Sequence, residues 1–73
     1  MLRCIRKHIL TYKAERLADG VDNKTIAASL GFKAGTLYSR IKHPEGLTLV
    51  EVMRIANTLN ISIPALLGLK EWD

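Results

Sequence analysis

Apolar residues recur along this chain at spacings of three and four, and no alternation of apolar and polar positions is sustained over six residues, so helices organise it. The pattern predicts five. The first, over about residues 3–18, sets Ile5, Ile9, Tyr12 or Lys13, and Leu17 on one face, and Asp19-Gly20 supplies its stop. Asp22 caps a two-turn second helix over 23–30, where Ile26, Ala27 and Leu30 share a face and Gly31 follows. A third helix over 33–42 has Leu37 and Ile41 four apart and closes at His43-Pro44, because the residue before a proline is pushed out of the helical region. Thr48-Leu49-Val50-Glu51 reads as a capping box, with Leu47 and Val52 as its hydrophobic staple. Leu49, Val52, Ile55, Ala56 and Leu59 carry that fourth stripe to Asn60. Ser62 then caps a last short helix that tolerates Pro64 in its first turn and turns Ile63, Leu66 and Leu67 inward.

Nothing in the sequence repeats and no linker composition interrupts it, so residues 1–73 read as a single all-α domain, a compact five-helix bundle. A chain of 73 residues has no length for a second domain or a deep active-site cavity, and its 48% hydrophobic residues suffice for one core. The single cysteine, Cys4, has no internal partner for a disulfide, and no run of 18 apolar residues is present to cross a bilayer. Lys7, His8 and Lys13 interrupt any signal-peptide core, which makes the cytoplasm the expected location.

Charge adds a direction. The net charge is +4, which favours an anionic partner. Residues 1–42 hold nine cations and three anions, whereas residues 43–73 hold Arg54 and Lys70 against Glu45, Glu51, Glu71 and Asp73. An anion-binding surface therefore belongs to the first half. Arg3, Arg6 and Lys7 there read either as an arm for a nucleic-acid backbone or as the solvated face of the first helix. Arg40 and Arg54 admit a structural reading too, paired with Glu45 or Glu51.

Catalytic and metal chemistry find little footing. His8 and His43 are far apart with only Cys4 besides, so no zinc spacing exists. Cys4 and Ser39 lack a base and an acid to activate them, and there is no glycine-rich phosphate loop or paired-carboxylate motif. An enzyme is not expected, nor a cofactor or a small-molecule ligand.

Two short helices joined by a tight turn at Gly31, with small Ala27 at their crossing and Ile26, Leu30, Phe32 and Leu37 beneath, meet the requirements of a helix-turn-helix over 23–42. The stretch Asn-Lys-Thr-Ile-Ala-Ala-Ser-Leu-Gly-Phe-Lys-Ala-Gly-Thr-Leu-Tyr-Ser-Arg-Ile-Lys resembles the helix-turn-helix of the phage-repressor family of Cro/CI-like regulators. Residues 47–67 are similar to that family's fourth and fifth helices, with Ile55-Ala56, Leu59-Asn60-Ile61 and Leu66-Leu67 in the same order.

The resemblance implies a regulator of transcription that binds double-stranded DNA, usually as a symmetric dimer. It assigns Lys33, Ala34, Gly35, Tyr38, Ser39 and Lys42 to the major groove or its rims, and Asn23, Lys24 and Arg40 to phosphates. Leu66, Leu69 and Trp72 are the expected dimer contacts. A small Cro-like repressor, phage- or prophage-encoded, fits the lack of an effector domain. The sequence departs from the family where the third helix begins, because Lys33-Ala34-Gly35 replaces a capping Ser or Thr and a long polar side chain, and Ile41 lies one position beyond the usual apolar site. The alternative left open is an adaptor or anti-repressor that uses the same fold on another protein.

Overall fold

The computed structural model describes residues 2–68, all in helices and short connections. The helices are α1 (Leu2–Ala18), α2 (Asn23–Ser29), α3 (Ala34–Lys42), α4 (Leu49–Leu59) and α5 (Ile63–Leu66), with a single 3-10 turn at Pro44–Gly46. The fold is all-α, as the spacing predicts, and none of these helices is long and apolar enough to cross a membrane.

The helix boundaries follow from local chemistry. Asp22 Oδ1 accepts from the Thr25 amide at 2.8 Å and starts α2. At α4 both halves of the capping box form: Thr48 Oγ1 accepts from the Glu51 amide at 3.2 Å, and Glu51 Oε1 accepts from the Thr48 amide at 2.9 Å. Ser62 Oγ accepts from the Ala65 amide at 3.2 Å to open α5. Lys33 makes no side-chain cap, so α3 starts at Ala34 without one.

One core joins all five helices: Ile5, Ile9, Ala27, Leu30, Phe32, Leu37, Ile55, Ala56 and Leu66 pack together, with Tyr12, Ile41, Leu47, Val52 and Leu59 among those at its edge. Three expectations are corrected here. Leu17 is 44% exposed. The inward face of α1 continues past Ile9 through half-buried Tyr12 to partly exposed Arg16, whose guanidinium carbon stands 5.7 Å from the Tyr12 ring centre while Nη2 pairs with Asp19 at 3.1 Å. Leu49 is 72% exposed, because the chain enters α4 through the half-buried Leu47, which takes the inward place beside Val52. Leu66 is fully buried in the core and so is not a dimer contact. Leu69 and Trp72 lie outside the described residues.

Arg6 has a specific structural task. Its Nε donates to the Ile41 carbonyl at 2.8 Å and its Nη2 to the Lys42 carbonyl at 3.1 Å. These are the last carbonyls of α3, which have no partner within the helix and carry its partial negative charge. Arg6 thus fixes the C-terminal end of α3 to α1. Arg6→Met keeps much of the apolar stem and removes both bonds; a loss of about 1–2 kcal/mol in urea unfolding is the expected result.

Candidate nucleic-acid interface

The turn between α2 and α3 is closed by backbone geometry. The Phe32 amide donates to the Ala27 carbonyl at 2.9 Å and the Gly31 amide to the Ala28 carbonyl at 3.0 Å, a Schellman ending of α2. That ending requires a left-handed residue, and Gly31 supplies it at φ 87°. A side chain there would be strained, and its Cβ would stand 2.9 Å from Arg54 Cδ.

Two neighbouring helices hold α2 in place. Ser29 Oγ donates to the Ile26 carbonyl at 2.6 Å, which leaves its lone pairs for the Tyr12 hydroxyl at 2.9 Å. Thr58 of α4 donates to the Ser29 carbonyl at 3.0 Å. At the other end of α2, hydrogen bonds from the Thr25 side chain and amide hold the Asp22 carboxyl below the ordinary carboxylate range, and nearby Lys24 lowers it further. The cap is therefore charged at neutral pH, and the stability it adds is complete above the ordinary carboxylate range and is lost as pH falls from there through that lowered value.

On this frame α3 buries Leu37 and presents Ala34, Gly35, Tyr38, Ser39 and Lys42 on its exposed side, with exposed Lys33 just before them. Tyr38 is 65% exposed, so it does not pack beneath the helix. Two clefts meet at Ala34. The smaller, about 210 Å³, is lined by Lys13, Asn23, Ala34, Leu37 and Tyr38. The larger, about 530 Å³, lies along Lys24, Ala28, Phe32, Lys33 and Ala34. Asn23 and Lys24 at the start of α2 are thereby brought beside the exposed side of α3, with lysines at both edges.

Arg40 is the exception among the residues assigned to this surface. It is half-buried, its Nε lies 3.6 Å from Glu51 Oε1, and its guanidinium lies close to Gly46, so it faces α4 and the 3-10 turn. This is the pairing with Glu51 that the sequence offered as the alternative to a phosphate contact. Ile41, one position on, is half-buried at the edge of the core.

Lys13 joins the surface without a local signal. On α1 it sits four residues after buried Ile9 and reads as a candidate for the core stripe; only the docking of α3 across α1 brings it to the cleft.

Gly35 has an ordinary helical backbone, and an added Cβ would meet nothing within 4 Å. Gly35→Ala is expected to raise stability by about 0.5–1 kcal/mol, read as a higher urea midpoint. The same substitution puts a methyl group on the exposed side of α3, so a fall in ligand affinity despite that gain would identify Gly35 as a point of close approach.

No family model matches this chain, and comparisons with curated proteins and with solved structures give no match.

Proposed function

We infer that this domain is a sequence-specific DNA-binding regulator, a small Cro-like repressor that lays α3 in the major groove. The observation that carries the reading is the continuous surface of Lys33, Ala34, Gly35, Tyr38, Ser39 and Lys42 beside Asn23 and Lys24. An exposed helix face about two turns long, with little bulk at Ala34 and Gly35, suits close approach to base edges, and Ala34 can meet a thymine methyl. Tyr38 and Ser39 supply hydrogen-bonding groups. Lys13, Lys24, Lys33 and Lys42 surround them and suit phosphates on either side of the groove.

Two copies on a near-palindromic site would set their third helices about one turn of DNA apart, roughly 34 Å. The buried Leu66 takes no part in their contact.

The test is fluorescence anisotropy of a labelled duplex at several salt concentrations. Four phosphate-neutralising lysines per copy predict a log–log slope of about −3 to −4 for each bound copy, a loss of roughly 100-fold in affinity per copy between 50 and 200 mM salt. Binding to a protein target with little salt dependence, and none to the duplex, would support the adaptor reading instead.

A further inference from the structure

The larger cleft has a chemistry that phosphate binding does not use. Ala28, Phe32 and Ala34 give it apolar walls, and Lys24 and Lys33 stand at its sides. Its complement is an apolar group set between two anions. Glu71-Trp72-Asp73 is such a segment: the chain's single tryptophan flanked by two carboxylates.

We propose that this cleft receives the Glu71-Trp72-Asp73 segment of a second copy of the chain, the indole against Phe32 and the alanines and the carboxylates toward Lys24 and Lys33.

Geometry selects the second copy over the same one. Gly68, where the segment departs, sits against Cys4 in the first turn of α1, so closely that a Cβ on it would collide with the Cys4 sulfur. The region of Ala34 lies against Lys13 of that helix. Nine residues separate Cys4 from Lys13, about 13 Å along the axis and two and a half turns, so the two lie on opposite sides of α1. Four residues from Gly68 to Trp72 extend to about 14 Å at most, which the axial distance alone consumes before the chain has passed round the helix. A second copy is free of that limit.

Lys33 and Ala34 belong both to this cleft and to the surface read above as DNA-facing, so the tail and a duplex compete. That competition rests on the proposed function; the contact between copies does not.

Trp72 reports the contact directly, because its emission shifts to the blue when the indole leaves water. In the full-length protein without DNA, the emission is expected to be blue-shifted at high protein concentration and to move to that of a water-exposed indole on dilution. The variant carrying Lys24→Glu and Lys33→Glu, both exposed positions, is expected to show the exposed emission at every concentration. Adding duplex to the concentrated wild-type protein is expected to release the indole in the same way.

Emission that does not change with concentration would overturn the proposal. So would a dilution shift that the double variant keeps, or one that Met53→Glu on the exposed side of α4 abolishes instead. If the dilution shift and its loss in the double variant are seen while no duplex binds, the exchange between copies stands and the DNA reading fails.

Discussion

Leu30→Ala is expected to cost about 3–4 kcal/mol, the largest loss of any single truncation considered for this domain. Leu30 is fully buried at the C-terminal end of α2, and its amide donates to the Ile26 and Ala27 carbonyls at 3.3 and 3.1 Å. It lies where the turn must hold α3 at its angle, and the surrounding Ile9, Phe32, Leu37 and Ile55 belong to the same cluster. Small domains have roughly 0.05–0.15 kcal/mol of stability per residue, so a cavity there removes a large part of what holds this chain folded. Urea unfolding followed by circular dichroism checks it. Leu49→Ala, at a position 72% exposed, is the internal comparison and should cost less than about 0.5 kcal/mol. Equal losses at the two sites would mean that the core is not where these contacts place it.

The second large effect concerns affinity. Lys33→Ala together with Lys42→Ala removes two of the four lysines around the exposed side of α3 and should lower duplex affinity roughly 10- to 100-fold per bound copy at moderate salt, with the salt slope reduced by about 1.8 for each copy. Both residues are exposed, so the fold should hold. Arg40→Ala separates charge in the interface from charge in the frame: its partner is Glu51, and the expected outcome is a modest loss of stability with the salt slope unchanged. A slope that falls with Arg40→Ala and stays constant without Lys33 and Lys42 would move the binding surface to another face.

The division between lysines and arginines also explains how the basic first half is used. Arg6 binds the carbonyls at the end of α3, Arg16 pairs with Asp19 and covers Tyr12, and Arg40 meets Glu51. Guanidinium groups, with several donors in a plane, suit such fixed contacts. The lysines at 13, 24, 33 and 42 are left around the α3 surface. Arg3 and Lys7 are exposed as well, so a sum of charges over residues 1–42 counts arginines in fixed contacts and outward-facing cations alike.

Features that depend on neighbours within four or five residues could be read from the chain itself. The Thr48–Glu51 box, the Asp22 cap, the Gly31 turn and the Asn60 ending, at φ 56°, each rest on local hydrogen bonds that one short stretch of sequence specifies. Misreadings fall where a residue's surroundings come from a distant helix. Leu17 stays exposed although the spacing puts it on the apolar face of α1. Leu66 was legible as an inward position of its short helix, and its complete burial leaves nothing of it for the dimer contact that the resemblance assigned to it. Lys13 reaches the candidate surface only through the docking of α3, and Arg6 meets carbonyls 35 and 36 positions away. Of the candidate site, the exposed positions of α3 were legible as a helical face, since burying Leu37 turns 34, 35, 38, 39 and 42 outward. For Arg40 the sequence leaves two readings open, phosphate contact or pairing with Glu45 or Glu51, because periodicity leaves it at the margin of that face and only the position of Glu51 on α4 decides between them.

Selection of bound sites from a pool of random DNA duplexes tests the central claim most directly. A specific reader that lays α3 in the major groove, two copies at a time, should enrich one near-palindromic motif with half-sites about one helical turn apart, and the motif should disappear when Lys33 and Lys42 are replaced by Ala. A pool that stays random after repeated rounds, under salt conditions where the protein is folded, would contradict it.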